Sequence, residues 1–462
     1  MITIKNDLED YQVVCFVERG NILPECDFAK VLRSEEMEKY PSTQPDVSYR
    51  AGAGLHDLCA LMFTSGTTGL PKAAALPNRK YCNTFVFKLM FDLSTEDHIY
   101  VPMPMYHGTA QLLGFVGCLS NACTLVMARK FSKSRFWDDC RQYNVTGILY
   151  VGEMCRYLLT NQPSSQDKVH KVRVALGNGM KADTWEKFQE RYGVPHITEF
   201  YSATEGNGLI YTKGKGAYGR GSIGHMGLLY KTLRKNMRVI VRCDPYTEDL
   251  ERNDKGLCIP VKTGEKGEFL IKITPSSRFY GYFENEKASN KKIAQDVLVK
   301  GDSYFRSGDI LSVDRDGFYY FGDRIGDTYR WKSENVSTEE VATAIGRFPA
   351  IEEPNVYGVE IPKHEGRAGC ARLLLKPDTT FNTQDLAVFL NRELPKYAVP
   401  LFLRLGKDLV TTGNLKQVKT ELRKEGVNPE TCPEPVLWLR SGDYVPFTPQ
   451  DWESLKNGSL TA

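Results

Sequence analysis

Several absences narrow the chemistry of this chain. Its twelve cysteines are scattered without a C-x-x-C pair, and its seven histidines include no His-x-x-x-His or other zinc spacing. Nothing here suggests a disulfide scaffold, a thioredoxin-type redox motif or a structural zinc module. No secretory signal pattern opens the sequence, so a reduced, intracellular protein is expected. No run reaches the roughly 20 apolar residues of a membrane span. The nearest, from Leu112 to Ala128, is interrupted by Ser120, Asn121 and Thr124 and reads as a buried helix–turn–strand. Neither sign of charge dominates: a net charge of +3 over 462 residues leaves no electrostatic footprint for nucleic acid, and none is expected as a partner. Internal repeats and low-complexity segments are also missing. What remains, 41% hydrophobic and 25% charged residues, is ordinary globular composition, at a length that implies two or more packing units.

The most informative stretch runs from Leu61 to Leu76. An apolar run ending at Phe63 leads into Thr64-Ser65-Gly66-Thr67-Thr68-Gly69, which Leu70-Pro71-Lys72 closes before a second apolar run. Glycines let backbone N–H groups face an anion at close range, and the hydroxyls add donors, so this is a phosphate-cradling loop. It is not a Walker A loop, because adjacent Gly-Lys is lacking and Ala73 stands where a Mg²⁺-binding Ser or Thr would be. A flexible linker of the same composition would not sit between apolar runs.

Along the chain, Val13–Phe16 reads as a strand, Asn78–Phe91 as a helix, and Tyr100–Pro104 as a strand leading to His107 in a loop. From Thr124 to Tyr201 strands and helices alternate: strands at Thr124–Ala128, Gly147–Val151, Val172–Leu176 and Ile197–Tyr201, helices at Ser132–Tyr143, through Tyr157 and Leu158, and at Asp183–Tyr192. That alternation predicts a parallel α/β sheet with ligands at the carboxyl ends of its strands, which directs attention to Gly177-Asn178-Gly179 and to Tyr201–Gly206. Beyond Gly221, short segments such as Met237–Arg242 and Gly267–Lys272 between turns predict antiparallel β structure. Its recurring Lys and Arg residues read as a solvated sheet face. Arg306-Ser-Gly-Asp309 precedes a hairpin that turns at Asp314–Gly317, and Gly322–Asp327 reads as a joint. A small α+β unit follows, with a capping box at Ser337-Thr-Glu-Glu340, strands at Asn355–Ile361 and Cys370–Leu375, and a helix over Asn382–Leu394. The proline-bearing end from Thr431 is expected to wrap loosely over a surface.

Thr64–Lys72 resembles the signature of the adenylate-forming (AMP-binding) superfamily, which includes acyl-CoA synthetases, luciferases and peptide-synthetase adenylation domains. Tyr201-Ser-Ala-Thr-Glu-Gly-Asn, Phe321–Lys332 and Glu334–Val341 are similar to the fatty acid transport protein / very-long-chain acyl-CoA synthetase branch, especially its fungal members. The resemblance implies an α/β adenylate-forming fold. A large N-terminal domain over 1–325, with a small antiparallel β region, would be joined to a small mobile α+β C-terminal domain over 326–462.

The activity implied is ATP-dependent activation of a long- or very-long-chain fatty acid, or a related carboxylic acid, to acyl-AMP and then acyl-CoA, with Mg²⁺ and CoA required. The resemblance implies that Thr64–Gly69 and Lys72 hold phosphates. Gly177, Asn178 and Gly179 would line the adenine side and Tyr201 would stack on the ring. Thr204 would touch the α-phosphate, Glu205 hold Mg²⁺, Asp309 take the ribose hydroxyls, and Arg324 stand beside ribose and phosphate. Lys416, in Thr411–Lys419, resembles the lysine that enters the site for adenylation, with Lys419 the alternative. Gly326 and Asp327 match the hinge, and Ser333, Glu334 and Asn335 the segment beside CoA. Peripheral contact with a peroxisomal, endoplasmic-reticulum or lipid-droplet membrane is implied, with the cytoplasm as the other location.

Two departures bear on these expectations. Family members carry about 180 further residues before the phosphate loop, against 63 here, so part of the first sheet and any N-terminal anchor are expected to be missing. The branch reads Trp-Lys-Gly-Glu-Asn where this chain reads Trp331-Lys-Ser333-Glu-Asn335. A serine adds a Cβ and a hydroxyl to what the family makes a pantetheine tunnel wall. Acyl-AMP is therefore expected to form readily and acyl-CoA slowly. Two other readings stand beside the synthetase: a non-catalytic acyl- or nucleotide-binding remnant, and an enzyme that only adenylates.

Overall fold

In the computed structural model the described residues are 14–17, 30–33, 36, 39, 43–44, 46–64, 71–234, 236–244, 247–331, 334–362, 364, 366–377, 379–408, 419–457 and 459. Residues 1–54 and 55–462 form two compact units. The first contains the parallel strands β1 (Val14–Val17) and β2 (Lys30–Arg33) and a short 3₁₀ turn at Val47–Arg50 capped by the Asp46 side chain.

The second unit opens with an antiparallel pair, β3 (Leu58–Thr64) and β4 (Lys72–Pro77), in which Thr64 lies opposite Lys72. The glycine-rich stretch of the sequence is thus the connection of a β-ribbon, and its residues 65–70 lie outside the described ones. The strands β5 (His98–Val101), β6 (Thr124–Met127), β7 (Gly147–Val151), β8 (Val174–Asn178), β9 (His196–Ser202) and β10 (Leu209–Lys215) form one sheet in the order β10-β9-β8-β7-β5-β6. All neighbours are parallel except β9 and β10. The core packed on this sheet includes Phe87, Phe91, Tyr100, Ile148, Leu149, Leu176, Trp185 and Phe188. Central parallel strands are buried on both faces, which is why β7 and β8 read as continuous apolar runs rather than alternating ones. From β5 the chain passes to β6 on one side and then to β7 on the other. That reversal opens a crevice at the carboxyl ends of the strands.

Several boundaries differ from expectation. The helix read at Asn78–Phe91 is three pieces: Asn78–Cys82, a 3₁₀ turn at Asn83–Phe85, and Val86–Phe91. The strand read at Tyr100–Pro104 ends at Val101, since a proline at 102 donates no ladder hydrogen bond. The helix read from Ser132 starts at Phe136. The strand read at Val172–Leu176 runs from Val174 through Asn178, so the glycines at 177 and 179 do not break it where composition suggested. The Leu112–Ala128 segment is a helical stretch that is π-type over Thr109–Val116, then a turn and β6.

A second sheet is antiparallel throughout. Its strands are β11 (Gly224–His225), β12 (Arg238–Val241), β13 (Gly267–Lys272), β14 (Ile293–Gln295), β15 (Ser303–Val313) and β16 (Phe318–Arg324), ordered β11-β16-β15-β13-β12 with β14 also on β15. Asp309 lies within β15, directly opposite Arg324 on β16.

After the small ribbon β17 (Tyr329–Trp331) and β18 (Glu334–Val336), a third sheet gathers β19 (Ile351–Val359), β20 (Ala368–Leu375), β21 (Phe402–Gly406), β22 (Val436–Arg440) and β23 (Asp443–Pro446). Its core, from Tyr329 to Leu455, is distinct from that of the first sheet. Ser337 caps the helix Thr338–Gly346 through the Glu340 N–H, as the capping box predicts. The end of the chain is not a loose wrap. Val436, Trp438, Tyr444, Phe447 and Leu455 are buried in the core, and β22 and β23 form a hairpin around Ser441-Gly442, both at positive φ. Prolines at 433, 435, 446 and 449 masked the apolar alternation, although the Ser-Gly pair is a hairpin signal.

Candidate active site

The crevice at the carboxyl ends of β8 and β9 widens into a cavity of about 1450 Å³. Thr64 and Lys72 enter it from the β3–β4 ribbon, Asn178 and Gly179 from the end of β8, Tyr201, Thr204 and Glu205 from β9 and the turn beyond it, Asp309 from β15, and Arg324 and Gly326 from β16 and after it. Sequence positions from 64 to 326 therefore converge on one space. Gly177 does not line it. A Cβ there would lie 2.1 Å from the Tyr150 carbonyl oxygen, so this glycine serves sheet packing. Asp327 and Glu334 are also outside the lining. Ser65, Gly66, Thr67, Thr68, Gly69, Ser333 and Lys416, and the Asn335 side chain, lie outside the described residues.

The half of the cavity formed by Tyr201, Asp309 and Arg324 is a linked set. The Tyr201 hydroxyl donates to Asp309 Oδ2 at 2.5 Å, and Arg324 Nε stands 3.4 Å from Asp309 Oδ1. Burial and the neighbouring Asp309 charge push the Tyr201 hydroxyl well above the usual phenol range, so it stays a donor. The Asp309 charge likewise raises Arg324. The Tyr201 ring meets Phe269 edge-on, with centroids 5.7 Å apart. Asn178 Oδ1 is buried and has no partner among the described residues. It leaves one acceptor for an amine or hydroxyl donor.

The half formed by Lys72, Thr204 and Glu205 contains partners that the sequence did not reveal. Tyr282 donates through its hydroxyl to Glu205 Oε1 at 2.7 Å, while Lys72 Nζ sits 5.4 Å from the Tyr282 ring centroid. Lys80 Nζ donates to the Thr204 carbonyl, and burial pushes its ammonium down to about 8 against the pull of Glu205. Asn207 bonds the carbonyls of Lys272 and Ser277, pinning the far end of the Thr204–Glu205 turn to the second sheet. Among the described residues no three His, Cys, Asp or Glu side chains gather into a metal cage. A single carboxylate facing a phosphate-sized space nevertheless fits Mg²⁺, which is held by one or two carboxylates plus substrate phosphates.

Glu199, absent from the sequence reading, lies on β9 with no exposure. It accepts from the N–H groups of Gly179 and Met180, the latter at 3.1 Å, and from the Tyr150 hydroxyl. It thereby holds the Gly179 turn, which also depends on Gly152, where a Cβ would fall 1.9 Å from the Gly179 carbonyl oxygen. Burial raises Glu199 to about 8 despite these three donors. In the unfolded chain the group titrates near the ordinary glutamate value of 4.5, so between 4.5 and 8 the folded state holds the extra proton. Its contribution to stability is therefore lost as pH rises through that window. Thermal melts from pH 5 to 9 are expected to fall more steeply for the native chain than for Glu199→Gln, whose amide oxygen keeps the two backbone hydrogen bonds without the charge while its NH2 donates to the Tyr150 oxygen. Parallel pH slopes would show that Glu199 titrates normally.

Comparison with known proteins gives the chain's family and fold. The model of a family described as AMP-binding enzyme matches residues 7–282. The chain is 42% identical over 414 residues to long-chain fatty acid transport protein 3 of Mus musculus, covering 89% of this chain and 61% of that protein. It is also 42% identical over 436 residues to isopenicillin N epimerase component 1 of Hapsidospora chrysogena, covering 89% of this chain and 71% of that one. The chain thus spans between three fifths and three quarters of the length of these two relatives. In fold it matches the O-succinylbenzoate coenzyme A synthetase of Bacillus subtilis, solved in complex with ATP and magnesium ion. The TM-score is 0.69 at 21% identity, covering 90% of this chain and 81% of that one. By the family match and by its likeness to relatives over nine tenths of its length, the chain belongs to the AMP-binding enzyme family, on the branch of the long-chain fatty acid transport proteins.

Proposed function

We propose that the protein activates a long- or very-long-chain fatty acid, or a related carboxylic acid, with ATP, forming acyl-AMP and pyrophosphate and then acyl-CoA and AMP. The observation that carries this reading is the convergence of Tyr201, Asp309 and Arg324 with Thr204, Glu205 and Lys72 on one cavity. The acid's carboxylate oxygen attacks the α-phosphorus, and the bond to the pyrophosphate oxygen breaks in line. Asp309 accepts the ribose hydroxyls while Arg324 stays oriented by the same carboxylate. Thr204 donates to the α-phosphoryl oxygens, and Lys72 meets charge on the leaving pyrophosphate. Tyr282 holds Glu205 in the orientation its metal would need. Mg²⁺ at Glu205 would neutralise charge on the departing phosphates.

Residues 1–325 and 326–462 serve in this proposal as an N-terminal body and a mobile C-terminal body. The separate core of Tyr329–Leu455 supports that division, as does the position of Gly326 at φ +85° between two anchored residues. Before it, Arg324 pairs with Asp309; after it, Asp327 pairs with Lys419 at 3.5 Å and Arg423 at 3.0 Å. Rotation at Gly326 would leave both sets of contacts whole. In the present arrangement Lys181 meets Glu339 at 2.8 Å and Arg156 meets Glu353 at 2.5 Å across the two bodies.

A lipid substrate favours peripheral contact with an internal membrane, peroxisomal, of the endoplasmic reticulum or of the lipid droplet. Among the described residues no helix is long and apolar enough to cross one. Adenylation without thioester formation is the second reading, favoured by Ser333 where the branch has glycine.

The test is acid-dependent release of AMP and pyrophosphate, with and without CoA, across C2 to C24 acids. No pyrophosphate with any acid would end the proposal, while acyl-AMP without acyl-CoA would select the second reading. Within that assay Glu205→Gln is expected to raise the Mg²⁺ concentration needed for half-maximal rate about 10-fold or more, with little change in the KM for acid. A normal Mg²⁺ titration would place the metal ligand elsewhere.

A further inference from the structure

The cavity has a cation that the steps above leave without a task. Lys80 stands on the short helix Asn78–Cys82, directly after β4, and its Nζ donates to the Thr204 carbonyl. An ammonium carries three N–H donors, so this bond leaves two directions available. Glu205 is the anion that acts on it, and Glu205 already accepts from Tyr282. Lys80 shares the lining of the cavity with the Thr204–Glu205 turn, and Val86, Leu112 and Leu113 add apolar side chains to the same lining. The ammonium therefore faces a space that offers polar groups to phosphates and apolar ones to hydrocarbon. A half-buried cation away from bulk water gains most from a counter-charge brought by the ligand.

We propose that Lys80 binds the carboxylate of the acid substrate before adenylation, selecting amphiphiles with an anionic head and an apolar tail. This deepens the proposed acid activation and rests on it. An acid whose tail follows Val86, Leu112 and Leu113 has its head at Nζ, beside the turn that holds Thr204. The Thr204 tether fixes the ammonium relative to the turn. When the carboxylate oxygen bonds to phosphorus its negative charge is lost, and the hold of Lys80 weakens. Lys80 therefore grips the free acid more than the acyl-adenylate, so its contribution is to capture of the acid and a lower KM rather than to a faster chemical step.

The test compares hexadecanoate with hexadecan-1-ol, equal in chain length and different in charge, by equilibrium binding to the full chain. The native protein is expected to prefer the acid about 10- to 100-fold, the range a charge-assisted hydrogen bond supplies. Lys80→Gln keeps a donor toward Thr204 but carries no charge, so it should lose that preference. Lys80→Arg should retain most of it. Binding of a non-reactive acyl-sulfamoyl adenosine, which lacks the carboxylate, should change less than about 3-fold in both variants, a result that also certifies their folding. If Lys80→Gln does not fold, Lys80→Met gives the same comparison. A glutamine or methionine variant with undiminished acid preference, or a native protein that binds acid and alcohol equally, overturns the assignment. Preference for the acid together with no pyrophosphate release would instead overturn acid activation and leave Lys80 as an acid-binding residue.

Discussion

Replacing Lys416 by alanine is expected to slow acyl-adenylate formation about 10²- to 10³-fold, while thiolysis of supplied acyl-adenylate proceeds. The magnitude is that of losing one preorganised charge at a transition state, about 2.7–4 kcal/mol. The separation of the two steps follows from the proposed rotation of the C-terminal body, which takes the lysine out of the site before CoA attacks. The structure bears on the alternative assignment. Lys419 donates to Thr338 Oγ1 at 2.8 Å and pairs with Asp327, so in this arrangement it ties the helix Thr420–Glu425 to the start of the C-terminal body. Lys419→Ala should therefore lower thermal stability more than it slows adenylation. Single-turnover quench measurements of acyl-AMP would decide. An unchanged adenylation rate in Lys416→Ala, with a large loss in Lys419→Ala, would exchange the two roles.

Asp309→Ala should raise the KM for ATP about 10²-fold. Asp309 is 7% exposed and accepts from the Tyr201 hydroxyl while facing Arg324. Its loss leaves the Tyr201 hydroxyl without its anionic acceptor and the exposed Arg324 without its ion-pair partner, and a hydrogen bond to a charged group is worth about 1.5–3 kcal/mol. Part of that cost appears as a lower melting temperature. The part belonging to ribose is isolated with 2′-deoxy-ATP: the native protein should discriminate against it, and Asp309→Asn should discriminate much less. Equal discrimination by both would remove Asp309 from the ribose site and leave it as a structural anchor for Tyr201.

Legibility of the site followed the range of the interactions. The Ser337 cap, the strand Gly147–Val151 and the strand Gly267–Lys272 depend on neighbours within a few residues, and they could be read directly. Lys80 and Tyr282 could not. Lys80 takes its partner 124 residues away and Tyr282 takes its own 77 residues away. Along the chain the first is one more polar residue opening a helix, and the second one of several tyrosines in a glycine-bearing stretch. Glu199 is similar: within Ile197–Tyr201 it interrupts an apolar strand, and its partners sit on β7 and on the turn after β8. A charged residue inside a buried strand is the signal that could have marked it, since such a group must find donors. Gly177 failed for the opposite reason. Its glycine reads like its neighbour Gly179, but the alternation of a strand turns it toward Tyr150.

By itself the sequence determined the alternating α/β character of the fold, the order of its motifs and the glycine- and hydroxyl-rich run that suits phosphate. These follow from local composition and spacing acting through short-range sterics and hydrogen bonding, whereas the proposed ribose and metal roles came from the family resemblance alone. Only the tertiary structure decided which of these residues share a space, that Asp309 joins Tyr201 to Arg324, that the tail completes a sheet, and that Lys80 enters the same cavity bonded to the Thr204 carbonyl. Those outcomes are set by the crossing of parallel strands and the register of antiparallel ones. They bring residues together across separations at which sequence spacing carries no distance information.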